Sequence, residues 1–201
     1  MRPGSREALL LAVFIGFAAP AAAAGSASFG FEPLLDYVNP VTTPFTVTQD
    51  GLSASFSSPG GTDGFAVVPG YLYQTLPSVV LADGGYPGYA TGIPLQIDFS
   101  AAVIGISVTF ALDSAANTLT LTTDTGATAT VNGVVPAGAL FAEGVLTFAG
   151  PYFHSVTLTS DSLDFAIGSV VAQLPEPTSL SLLGLFLAGL GLARRARRFP
   201  C

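Results

Sequence analysis

The chain has 201 residues, 50% of them hydrophobic and only 9% charged, with a mean hydropathy of +0.62. That composition excludes a disordered protein and leaves room for one ordinary domain between targeting segments. All six basic residues are arginines at the two ends, so the stretch between Ala8 and Ala193 is purely anionic, which excludes nucleic-acid binding there.

At the N-terminus, Arg2 and Arg6 precede an apolar run at 8–19, and Ala22-Ala23-Ala24 follows. A positive flank, a short apolar stretch and small residues make a secretory signal peptide. Residues 1–24 are expected to be removed by signal peptidase, leaving Gly25 as the new terminus. The run is short for a lasting membrane span.

Residues 25–174 alternate apolar and polar side chains repeatedly. The clearest run sets Ile104, Ile106, Val108, Phe110 and Leu112 on one side. Leu52, Ala54 and Phe56 repeat the pattern, as do Leu95, Ile97 and Phe99, then Leu119 and Leu121, Val156 and Leu158, and Leu163, Phe165 and Ile167. Period two with one apolar face predicts half-buried strands. Asn132-Gly133 reads as a tight hairpin, and Asp83-Gly84-Gly85 and Asp124-Thr125-Gly126 as further turns. About nine strands spaced by turns predict an all-β ectodomain, an antiparallel jelly-roll-like β-sandwich.

Chemistry is sparse in this segment. His154 is the only histidine and Cys201 the only cysteine, which excludes a disulfide within the chain and a cysteine zinc site. No G-x-S-x-G or H-E-x-x-H pattern accompanies the histidine. Two carboxylates suffice for glycoside hydrolysis, so Asp161 with Asp164, or Glu143 with either, keeps a secreted carbohydrate-active hydrolase open as the alternative function. Tyr71, Tyr73, Tyr86 and Tyr89 crowd one loop-rich region, where Tyr86 and Tyr89 are candidates for stacking on sugar rings.

At the C-terminus, Pro175-Glu176-Pro177 leads into an uncharged apolar run at 179–193, and Arg194, Arg195, Arg197 and Arg198 follow at once. The arginines hold that end in the cytoplasm and place everything before the span outside. As a helix the run covers about 24 Å, which is marginal for a permanent anchor and suits a transient one. These three parts, in this order at 175–201 and behind a signal peptide, closely resemble the PEP-CTERM sorting signal of Gram-negative bacteria. The resemblance implies recognition by exosortase, a membrane-embedded cysteine transpeptidase. It also implies a membrane-anchored intermediate that ends at the outer surface or with extracellular polysaccharide. One departure is the tail, where Phe199, Pro200 and Cys201 follow the arginines.

A second resemblance concerns Phe29-Gly30-Phe31-Glu32, Gly105-Ile106-Ser107-Val108-Thr109-Phe110 and Asp164-Phe165-Ala166-Ile167. These look like the β-sandwich ectodomains of PEP-CTERM proteins, themselves similar to carbohydrate-binding jelly rolls. That likeness implies a structural calcium ion where the first and last strands meet, with Glu32 and Asp164 as its ligands. Gly168 stands where relatives carry an acid. The expected function is a non-enzymatic exported surface or matrix protein whose ectodomain binds glycan or metal.

Overall fold

The computed structural model describes residues 25–34, 41–59, 64–83, 92–175 and 184. The signal peptide expected at 1–24, Tyr86, Tyr89, Glu176, Pro177, the terminal arginines and all of the apolar run except Gly184 lie outside them. No described helix is long and apolar enough to cross a membrane, and the span expected at 179–193 falls outside the described residues.

The described chain is all-β, within one compact unit, Ala24–Glu176. Its strands are β1 (Ser26–Phe29), β2 (Phe45–Gln49), β3 (Leu52–Ser57), β4 (Phe65–Pro69), β5 (Val79–Asp83), β6 (Leu95–Leu112), β7 (Thr118–Thr123), β8 (Thr128–Asn132), β9 (Ala142–Ser160) and β10 (Phe165–Gln173). Two 3-10 turns, Glu32–Leu34 and Gly70–Leu72, interrupt the loops. Every strand pairing is antiparallel.

Two long strands hold the architecture together. The first half of β6 and the second half of β9 sit in a half-sheet ordered β2-β3-β6-β9-β7-β8. Their other halves sit in a second half-sheet ordered β4-β5-β10-β6-β9, where β1 also pairs with β10. The two halves share one main core, and a smaller apolar cluster of Val80, Ala82, Ala111 and Ala166 lies apart from it. Phe31 packs edge-on against Phe56 at 5.5 Å and Phe65 against Phe165 at 5.9 Å, while the tilted pair Phe29 and Phe99 lies at 6.3 Å. Each buried phenylalanine contributes roughly 1.5–3 kcal/mol, which lets a chain without an internal disulfide hold such a fold.

The β6 strand corrects the sequence reading. Leu95–Phe99 and Ile104–Leu112 had been expected as two strands, but they form one 18-residue strand with register shifts between Asp98 and Gly105. An irregularity there flips the phase of the pleat. Leu95, Ile97, Phe99 and Val103 face the core before it, and Ile106, Val108, Phe110 and Leu112 after it; Ile104 is only half-buried. A bulge at Gly168 does the same in β10, moving the buried set from Phe165 and Ile167 to Val170 and Ala172. Leu163, assigned to the buried face, is instead exposed and precedes the strand.

The turns also differ from expectation. The β7–β8 turn forms at Asp124-Thr125-Gly126, with Gly126 at φ +84°. Asn132-Gly133 makes no tight hairpin, because the chain runs on to a single bridge between Val134 and Glu143 before β9. The two-residue hairpin lies at Asp50-Gly51, where φ values of +52° and +80° suit the right-handed twist of β2 and β3.

Candidate functional site

One end of the second half-sheet gathers carboxylates. Asp83 closes β5 and is fully buried, although it ends an apolar run, Val79-Val80-Leu81-Ala82. It accepts backbone N–H bonds from Phe165 at 2.6 Å, Gly92 at 2.9 Å and Ile93 at 3.2 Å. Asp164 lies beside it, hydrogen-bonded side chain to side chain. Ser162 fastens the same corner: its Oγ donates to the Asp164 carbonyl at 2.6 Å and accepts from the Asp113 N–H at 3.1 Å. Asp113 in turn accepts from the Asp164 N–H at 3.1 Å.

Burial and like charge act in the same direction here. Desolvation pushes Asp164 up to about 7, helped by the charges of Asp83 and Asp113. Desolvation also raises Asp83, to about 6, against three backbone donors that favour its charged form. Asp83 holds those donors, so the proton of the pair resides on Asp164 at neutral pH. Burial, followed by the charges of Asp164, Asp113, Glu143 and Asp83, pushes the Tyr73 hydroxyl above its ordinary range.

Glu143, on β9, is buried and accepts from the N–H groups of Gln74 at 2.7 Å and Thr75 at 2.6 Å, and from the Thr75 hydroxyl. It pins the 73–78 loop, whose Tyr73 ring lies 5.1 Å from Phe141. Asp161 is exposed and accepts from the Thr118 N–H at 2.6 Å, a bond that lowers its pKa. Of the acids considered for hydrolysis, Glu143 and Asp161 are thus engaged in holding a loop and a strand end. His154 is exposed, and its backbone N–H donates to Asp124 at 3.1 Å.

The residues expected to share calcium have different surroundings. Asp164 sits with Asp83 and Asp113, whereas Glu32 lines a separate open cleft. Calcium takes six to eight oxygens, and here the oxygens of Asp83 are committed to backbone donors and to Asp164. Among the described residues no group of three or more His, Cys, Asp or Glu is arranged to hold a metal ion.

Gly168 has a packing reason that the sequence did not reveal. A Cβ there would lie 2.6 Å from Pro77 and 2.8 Å from the Thr109 hydroxyl, so no carboxylate-bearing side chain fits. The close approach of Pro77 helps form the cleft, which has a volume of 330 Å³ and is lined by Glu32, Gln49, Ser28, Ser169, Val47 and Pro77 over Gly30 and Gly168. Tyr86 and Tyr89 lie outside the described residues, as do Glu176 and Pro177; Pro175 is half-buried just after β10. Sequence reasoning missed Asp83, which it read as a turn residue, and missed Gln49 in the cleft. The one available signal for Asp83 was an aspartate ending four consecutive apolar residues.

The sequence matches no protein-family model and is similar to no curated protein. Among solved structures, the chain is similar to the K2 cleaved adhesin domain of Lys-gingipain, at 13% identity and a TM-score of 0.43, covering 75% of this chain and 99% of that one. It is similar to a family 29 carbohydrate binding module complexed with cellulohexaose, at 10% identity and a TM-score of 0.35, covering 73% and 90%. A family 35 carbohydrate binding module from Cellvibrio japonicus aligns at 18% identity and a TM-score of 0.29, covering 59% and 91%.

Proposed function

We propose that this chain is an exported, non-enzymatic protein of the bacterial surface or extracellular matrix, sorted through its C-terminus, with a jelly-roll-like ectodomain that binds polysaccharide. One observation carries the reading: a signal-peptide pattern at 1–24 is matched by Pro175-Glu176-Pro177, an apolar run and four arginines at the other end. An ordered β-domain between two removable targeting segments is the layout of a delivered cargo. A binding rather than a catalytic role is supported by Glu143 and Asp161, two of the acids considered for hydrolysis, whose carboxylates are occupied by backbone donors. Its anionic surface without Lys or Arg between Ala8 and Ala193 favours neutral partners over acidic ones.

Mass spectrometry of the native protein tests this reading at both ends. A mature form beginning at Gly25 and lacking the arginine tail is the expected result. A protein retaining Met1 and the terminal arginines in an exosortase-containing host overturns it.

A further inference from the structure

We infer that the cleft between β1, β2 and the β10 bulge is a binding site for a single neutral sugar unit, such as the end or a branch of a glycan chain. The inference rests on the exported-binding reading above and gives it a location.

The cleft volume of 330 Å³ lies at the small end of the range for ligand sites, enough for one sugar ring with part of a second. Four side chains with hydrogen-bonding groups line it: the Ser28 and Ser169 hydroxyls, the Gln49 amide and the Glu32 carboxylate. Together they offer donors and acceptors of both kinds, which suits hydroxyl groups that both give and receive. A carboxylate facing hydroxyls supplies the stronger, charge-assisted bonds.

Val47 and Pro77 add apolar surface to the same cleft. A pyranose presents C–H groups on its faces and hydroxyls around its rim, so a mixed wall of this kind suits it. Gly30 and Gly168 also line it, without side chains. The glycine at 168 is required by the packing of Pro77 and Thr109, so the fold itself keeps that part of the cleft bare.

The charge pattern selects the chemical class. Among the described residues of the lining Glu32 is the only ionisable one, and the described domain carries no Lys or Arg. An anionic sugar or phosphate finds no counter-charge there. The Glu32 carboxylate is exposed to water, so its attraction for a simple cation is heavily screened. A neutral polyhydroxyl ligand uses the Ser28, Gln49 and Glu32 groups at once, with Ser169 offering what its 3.0 Å bond to the Thr109 hydroxyl leaves free.

The test is calorimetric titration of the full chain, held in a detergent without a sugar headgroup, with cellobiose, maltose, lactose and the charged control digalacturonic acid. At least one neutral disaccharide should bind and the charged one should not. Glu32→Gln and Gln49→Ala alter exposed side chains and should each weaken binding at least tenfold with an unchanged melting temperature. Thr130→Ala, on an exposed position of β8, should change nothing. Neutral-sugar binding that survives both cleft variants overturns this site while leaving the exported-binding reading intact. Absence of binding to every disaccharide, or preference for the charged one, also overturns the site. An unprocessed protein with both termini intact overturns the broader reading instead.

Discussion

Asp83 and Asp164 share a hydrogen bond between their carboxyl groups at the end of the second half-sheet, one fully enclosed and the other half-buried. The two acids join the end of β5 to the start of β10, and Asp113 at the end of β6 completes the corner. With a single shared proton the corner is held by a carboxylic acid donating to a carboxylate. Without that proton, two negative charges face each other beside a third.

This arrangement fixes the direction of the pH dependence. Asp164 titrates near 7 in the folded chain and Asp83 near 6, both above their ordinary value of 3.8. Between these values the folded state holds protons that the unfolded state has lost. Stability from the pair is therefore fully present below 3.8, declines as pH rises through the folded values, and levels off above about 7. Melting temperatures measured from pH 4 to 8 should fall and then flatten, and Asp164→Asn should remove most of the fall. A variant with the same slope as the parent would place the effect in the other surface carboxylates.

Removing the Asp83 side chain should be far more damaging than removing its charge. Asp83→Ala leaves two buried backbone N–H groups, those of Phe165 and Ile93, without an acceptor, while the exposed Gly92 N–H can turn to water. An unsatisfied buried donor costs about 1–3 kcal/mol, so the loss should exceed roughly 2 kcal/mol. Asp83→Asn keeps one acceptor oxygen and should lose less. Urea unfolding of the two variants gives the comparison, and a smaller loss for alanine than for asparagine contradicts it.

The contrast with the sequence reading follows from what alternation encodes. Runs such as Leu119-Thr120-Leu121 and Val156-Thr157-Leu158 declare their buried face, because one side of the pleat must be apolar wherever the other meets water. A bulge shifts that phase without changing composition, so β6 looks like two strands around Ser100–Val103 while forming a single one. Asp83 was hidden for a related reason. Its burial depends on N–H groups of residues 92, 93 and 165, which no local pattern connects to it. The cleft was equally illegible, since Glu32, Gln49 and Ser169 meet only once β1, β2 and β10 are assembled. The terminal patterns from which sorting is proposed are the opposite case. They are linear motifs, so their resemblance is carried by order and spacing alone.

Two glycines should tolerate even a methyl group poorly. A Cβ at Gly70 would stand 1.9 Å from the carbonyl oxygen of Pro77, where the Gly70 N–H already bonds Ser78 at 2.7 Å. Backbone on both sides leaves nothing able to swing aside, so Gly70→Ala should abolish folding or lower stability by several kcal/mol, at or beyond the ~1–3 kcal/mol usual for overpacking. At Gly168 the nearest atoms belong to the Pro77 ring and the Thr109 side chain, and Gly168→Ala should fall within that ordinary range. Thermal denaturation ranks the pair, and a milder effect at position 70 contradicts the argument.

Glu143→Ala should free a loop before it unfolds the domain. Its carboxylate holds the N–H groups of Gln74 and Thr75 and the Thr75 hydroxyl, and charge-assisted bonds of this kind are worth about 1.5–3 kcal/mol each before water replaces them. The 3-10 turn that leads into this loop carries Tyr71 and Leu72, 80% and 46% exposed, and opens to a protease once the loop is released. Limited chymotrypsin digestion should cut the variant after these residues well before the parent. Glu143→Gln keeps an acceptor and should fall between them, whereas equal cutting rates in all three would remove Glu143 from the role.

The sorting proposal makes its sharpest prediction at Glu176. Proline fixes its own φ near −65° and disfavours helix at the residue before it, so the sequence around Glu176 is expected to favour an extended backbone. An extended segment is the form a transpeptidase can accept, and the carboxylate is the one charge between Leu174 and Arg194. Recognition by that charge predicts that Glu176→Ala accumulates as a precursor with its arginine tail, while Pro175→Ala only slows processing. The readout is the intact mass of the membrane fraction from a host with exosortase and from the same host without it. In the second host even the parent chain should keep Arg194 to Arg198. If Glu176→Ala is trimmed as fast as the parent, the carboxylate is not the recognised group and the motif acts through its prolines alone.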